Sequence, residues 1–138
     1  MGLALFTERP LRGLADLTKE RLDLGVQGEK LAQKEVKSIG YKCIEQNYRC
    51  KIGEIDLIAR DGDCLVFIEI KTRKGSSIGY AKEAVNFKKR HQISRVAQYY
   101  MKDKDCCEAK ARFDVIAINI NNGKKEVEII KNAFELTC

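Results

Sequence analysis

The chain has 138 residues, 44% hydrophobic and 33% charged, with 26 Lys and Arg against 20 Asp and Glu, a net charge of +6 and a pI near 9.0. That length suits one domain with a real core and excludes two ordinary ones. Six cysteines without a CxxC pair and one histidine argue against a structural zinc site; no bilayer-length apolar stretch and no visible secretory signal argue for a cytoplasmic protein with reduced thiols and no membrane partner.

Residues 1–20 hold five leucines around Pro10 and read as an N-terminal extension, open between a broken helix, a docking segment and a loose tail. The domain is expected over 21–138. From Asp23 to Ser38 the pattern is helical, with Ala32, Val36 and Ile39 on one stripe and Gly40 as the stop. Glu29 falls within about 60° of Ala32, so an acid turns toward the core; a role in the helix dipole, or with Lys30 and Gln33, is the alternative. Tyr41 to Tyr48 reads as a first strand and 49–53 as its connection. Asn47, Tyr48 and Arg49 suit either a nucleic-acid backbone or turn closure, the latter being expected for the Tyr48 ring.

The chemistry concentrates in the next two runs, GEIDLIARDGDCLVFIEIKTR from Gly53 to Arg73. In Glu54 to Ala59, alternation sets Ile55, Leu57 and Ala59 on one face and Glu54, Asp56 and Ile58 on the other. Asp61-Gly62 supplies a tight turn. In Cys64 to Lys71, Val66, Ile68 and Ile70 share one face and Leu65, Phe67, Glu69 and Lys71 the other, which describes a central strand covered on both sides. Cys43 and Cys64 read as small core residues. The hairpin can bring Asp56 beside Glu69 and Lys71. Buried carboxylates are costly unless paired, hydrogen-bonded or bound to a metal, so the cluster is either an ion pair or a functional site.

A polar loop, 74–79, leads into the longest helix, Lys82 to Lys102, whose apolar stripe is Val85, Ile93, Val96, Ala97, Tyr100 and Met101. Lys89 lies on that stripe, one turn from Val85 and from Ile93, and can snorkel to the core's edge. Lys88, Arg90 and Arg95 flank it, and His91 faces solvent. Between Lys71 and Arg95 stand eight basic residues, Arg73 and Lys74 among them, and one acidic residue; this local charge of +7 leaves −1 for the rest of the chain. Such a zone suits a polyanion, or is a solvated helix face. Arg112 to Ile120 and Glu126 to Lys131 read as two last strands about an Asn121-Asn122-Gly123 turn, with Asp114 structural, paired to Arg112 or another basic residue.

Asp56 followed by Glu69-Ile70-Lys71 resembles the PD-(D/E)xK nuclease motif, with Ile55 where the motif's name has proline. With Gly28-Glu29-Lys30-Leu31-Ala32, Gly40-Tyr41, Asn47-Tyr48-Arg49-Cys50 and Arg112-Phe113-Asp114-Val115, the chain from about Leu24 to Ile120 is similar to the YraN-like family of predicted endonucleases, itself similar to archaeal Holliday-junction resolvases. The resemblance implies an α/β (α+β), restriction-endonuclease-like αβββαβ core, a mixed sheet flanked by helices. It implies Mg²⁺ or Mn²⁺ held by Asp56, Glu69, the Ile70 carbonyl and Glu29, with Lys71 catalytic and Lys89 beside the site. It also implies DNA, including branched DNA, as partner through Arg49, Arg73, Lys74, Lys88, Lys89, Arg90 and Arg95, and a C2 homodimer to match a junction's two-fold symmetry. A nucleic-acid-binding module that never cleaves, and an adaptor acting through residues 1–20, are the rival readings.

Overall fold

The computed structural model describes residues 14–74 and 86–135. Helix α1 (Leu14–Ser38) is followed by β1 (Lys42–Cys50), β2 (Gly53–Asp61), β3 (Cys64–Lys74), α2 (Phe87–Asp103), β4 (Lys110–Asn121) and β5 (Lys124–Phe134). The strands form one sheet in the order β1-β2-β3-β4-β5, antiparallel except for the parallel β3/β4 pair. A parallel pair needs a crossover, and α2 lies in it. The fold is therefore α+β with a mixed sheet, in the expected order of helix, three strands, helix and two strands.

Side-chain alternation divides the core into two layers. On one face of the sheet, Ile93, Val96, Ala97 and Tyr100 of α2 pack on Ile58, Leu65, Phe67, Phe113 and Val115. On the other, Ala32 and Val36 of α1 pack on Leu57, Ala59, Val66, Ile68, Ile116 and Ile118. Leu65, Val66, Phe67 and Ile68 are all buried, so β3 is covered on both faces as its continuous apolar run requires. Tyr48 packs edge-on against Tyr100, with ring centroids 5.0 Å apart, so its ring joins the core from within β1 instead of closing a turn.

Several boundaries differ from the sequence reading. Helix α1 starts at Leu14, not Asp23, so 14–20 continue the helix. Leu22 and Val26 are exposed, so this half of the helix buries no regular stripe from which a start could be read. The helix ends at Ser38; Gly40 takes φ +94 and the Tyr41 N–H donates to the Val36 carbonyl, which turns the chain away before Ile39 reaches the core. Strand β1 runs on to Cys50, so Arg49 belongs to a strand rather than a connection. The β2–β3 loop is Gly62 and Asp63, because Asp61 still pairs with Cys64. Ile55 joins the α2-side layer instead of following Leu57 and Ala59. Its strand pairs with β1 down to Gly53 but with β3 only as far as Leu57, so β3 no longer fixes which face Ile55 takes. Cys43 and Cys64 are half-buried at the core's margin. The 75–79 part of the expected loop, Lys82 and Val85 lie outside the described residues.

Candidate active site at the β2–β3 hairpin

The hairpin zips from Asp61 opposite Cys64 to Leu57 opposite Ile68, and then the strands part. At the next position the Asp56 carboxylate accepts the Ile70 N–H at 2.8 Å, replacing a strand carbonyl with a charged side chain. In an extended strand a residue's C=O points the same way as its N–H, so the Ile70 carbonyl faces the same gap. Glu69, only 6% exposed, lies across from Asp56 on the α2 face of β3.

The two carboxyl groups are neighbours, and the negative charge of Asp56 disfavours ionisation of Glu69. Burial first, then the Asp56 charge, pushes the Glu69 pKa up to about 7 against the pull of Lys89 and Lys71. Burial also raises Asp56, opposed chiefly by the Ile70 N–H. This pair holds its negative charge at a cost unless a cation joins it.

Two lysines converge on one oxygen of Glu69. Lys89 Nζ stands 3.8 Å and Lys71 Nζ 4.0 Å from Oε2. Lys71 comes from the same strand two residues on, whereas Lys89 reaches over from α2. Its position is set by the helix start: Asn86 Oδ1 accepts the Lys89 N–H at 2.9 Å and caps the first turn. Lys89, expected either to snorkel to the core's edge or to stand beside the site against phosphate or a carboxylate, thus has its ammonium next to Glu69.

Beside Lys89 opens a shallow cavity of about 310 Å³ lined by Arg49, Cys50, Gly53, Glu54 and Gln92. Arg49 Nε donates to Glu54 Oε2 at 2.8 Å, which holds the guanidinium along the cavity wall. Gln92 Nε2 donates to the Ile52 carbonyl at 3.2 Å and ties the β1–β2 turn to α2. A Cβ on Gly53 would come within 2.8 Å of that amide, so a larger residue there would displace the Gln92 side chain from this bond. Sequence reasoning missed Gln92; its spacing of three from Lys89, which places both on one side of a helix, was the available signal.

The remaining expected residues divide. Lys88 and Arg95 are exposed and seven residues apart, hence within about 20° on α2. Arg90 turns away from them, its guanidinium 5.7 Å from the Phe134 ring centroid, because its place on the helix faces the β5 end of the core. Arg73 and Lys74 are exposed at the end of β3, with Lys74 Nζ 4.0 Å from Glu20 Oε2 on α1. Glu29 is half-buried on α1, the helix packed on the opposite face from Glu69. Among the described residues no three His, Cys, Asp or Glu side chains gather as a metal-binding group, so the structure unites Asp56 with Glu69 but does not bring Glu29 to them. The helix nevertheless abuts the site strand: Gly28 lies so close to Thr72 that a Cβ would collide with the Thr72 hydroxyl.

Asp114, on β4 opposite Ile68 of β3, is fully buried and is structural, as expected. It accepts from Arg112 Nε at 3.0 Å, the Tyr41 hydroxyl at 2.8 Å and the Asn132 N–H at 2.9 Å. Arg112 also donates to Asp61 at 2.9 Å and to the Tyr41 hydroxyl. Burial, then the hydrogen bond and charge of Asp114, lift the Tyr41 pKa to about 12. The network ties β1, the hairpin, β4 and β5 together below the site.

The family model described as uncharacterised protein family UPF0102 matches residues 28–118. A UPF0102 protein of Syntrophus aciditrophicus is 42% identical over 117 residues, 85% of this chain and 92% of its own length. One from Geotalea daltonii is 46% identical over 114 residues, covering 82% and 90%. One from Caldicellulosiruptor saccharolyticus is 39% identical over 114 residues, covering 81% and 97%. The matched segment holds Glu29, Asp56, Glu69, Lys71, Lys89 and Asp114.

Proposed function

We propose that this chain, which belongs to the UPF0102 family, is a divalent-metal-dependent endonuclease of the PD-(D/E)xK type that hydrolyses phosphodiester bonds in DNA. The observation that carries the reading is the Asp56–Glu69 pair: two neighbouring, largely buried carboxyl groups whose pKa values are both raised, at the open end of a hairpin faced by two lysines. A merely structural ion pair would favour ionised carboxylates, whereas this environment resists their charge.

Asp56, Glu69 and the Ile70 carbonyl offer hard oxygen donors that suit Mg²⁺ or Mn²⁺. A bound ion there supplies Lewis acidity toward a phosphate oxygen and a water of lowered pKa. Lys71 orients the attacking water or stabilises charge on the pentacoordinate phosphorus. Lys89 is the second cation beside the same phosphate. Glu29 enters the proposal as an outer contributor from α1, adjacent to β3 through the Gly28–Thr72 contact. Arg49, Arg73, Lys74, Lys88 and Arg95 supply the phosphate-binding charge. Branched DNA as substrate, and a C2 dimer to cut it, follow from the similarity to junction resolvases.

The test is a cleavage panel of junction, flap, single-stranded and duplex DNA, and RNA, with Mg²⁺ or Mn²⁺, comparing wild type with Glu69→Gln. Metal-dependent cleavage lost in the variant supports the reading. Binding in EDTA with no cleavage in either metal replaces it with a non-catalytic nucleic-acid-binding module.

A further inference from the structure

We propose that Phe87 is a stacking platform for an unpaired nucleobase, so that the protein prefers nucleic acid with a single-stranded segment over blunt duplex. The inference rests on the proposed nucleic-acid function and adds the substrate feature recognised. Phe87 is 72% exposed, the most exposed large hydrophobic side chain among the described residues. A phenyl ring so placed adds little to the core and leaves most of its surface to solvent. The ring lies nearly parallel to that of His91, at 14° with centroids 6.4 Å apart, so the two rings one turn apart form a short stack to which a further flat ring can be added.

The location supplies the partner's chemistry. Phe87 opens α2 directly after the Asn86 cap, and Lys88 follows it, exposed. Lys89, two residues on, lies about 3 Å further along the axis and about 200° around it, so the two side chains leave opposite sides of the same helix end. Lys89 points to Glu69. A polyanion crossing this end of α2 can therefore place a phosphate near Lys89 and a neighbouring base on Phe87. Every base has a π-face, so stacking is tolerant of sequence, but a base within a duplex is already stacked and its face is unavailable. The neighbouring lysines select a polyanion over an apolar partner.

The probe is a blunt DNA duplex and the same duplex with a single-stranded tail carrying a fluorescent adenine analogue, both titrated in EDTA with the full chain. Wild type is expected to bind the tailed form more tightly and to quench the analogue. Phe87→Ala should weaken binding to the tailed form about tenfold with little change on blunt duplex, Phe87→Leu should behave like Ala, and Phe87→Trp should restore both affinity and quenching. Three results would overturn the proposal: an unchanged tail preference in Phe87→Ala, full rescue by Leu, or conversion of a sedimenting dimer to monomer by Phe87→Ala, which would assign the ring to a contact between copies. The readout is binding without metal, so absence of cleavage in Mg²⁺ or Mn²⁺ would count against the endonuclease reading alone.

Discussion

Lys89 of α2 stands 3.8 Å from Glu69 of β3, which makes this buried carboxylate a contact between the sheet and its crossover helix. Lys71 approaches the same oxygen from the strand itself at 4.0 Å. The two lysines differ in origin and should differ in effect. Lys71→Met keeps the aliphatic stem and the carboxylates, so metal affinity should hold while the chemical step slows by on the order of 10²-fold. Lys89→Met should also loosen the α2–β3 contact, with a lower melting temperature alongside lower activity. Metal titration, single-turnover rates and melting curves on both variants check this.

Asp56→Asn and Glu69→Gln should abolish cleavage and weaken metal binding while leaving the fold intact. A raised pKa means that the site favours the neutral form, so above neutral pH the amide variants should melt no lower than metal-free wild type. A parallel fall of melting temperature and activity would instead make the pair a structural one. The same shift sets a pH dependence. Glu69 binds its proton more tightly folded than unfolded, so its contribution to stability is fully present below about 4.5, its ordinary value, and is lost as pH rises through about 7. Metal affinity should rise over that window, since the ion displaces the proton. Glu69→Gln should remove this component of the pH–stability profile.

Glu29→Gln should keep fold and DNA binding but lower cleavage at limiting metal, with recovery as metal is raised. Its carboxylate lies on the helix that abuts β3 and not within the Asp56–Glu69 pair. Full activity at limiting metal would return Glu29 to the helix surface.

Lys88→Ala and Arg95→Ala should each weaken binding to all sequences alike and flatten the salt dependence by about one unit of slope per lost phosphate contact. Arg90→Ala should leave the slope unchanged, because its guanidinium stands over Phe134. Titrations at several ionic strengths separate the three.

Asp114→Ala should destabilise by on the order of 3 kcal/mol or more, since Arg112 and the Asn132 N–H lose their buried acceptor. Tyr41→Phe removes one hydrogen bond and should cost about 1 kcal/mol. Denaturant unfolding measures both, and metal affinity should be unchanged in the folded fraction.

What the sequence determined by itself was local. Alternation over β2 and β3 was enough to put Asp56 and Glu69 on one face of the hairpin, but a turn at Asp61-Gly62 would set Asp56 opposite Phe67; the observed Gly62-Asp63 loop is what places it across from Glu69. The helical stripe of α2 likewise turned Lys89 inward, as the contact with Glu69 confirms. Tertiary structure decided the rest. Ile55 changed layers because β2 leaves β3 at Leu57, and only the hydrogen bond from Ile70 to Asp56 shows that parting. The Tyr41–Asp114 bond joins residues 73 apart, a separation over which periodicity carries no information. Glu29 is half-buried on its helix, but which face of the sheet that helix covers depends on how the two layers assemble. A helical period specifies the direction of a side chain relative to its own helix, whereas the distance between carboxylates on separate elements is set by the packing of α1 and α2 on opposite faces of β3.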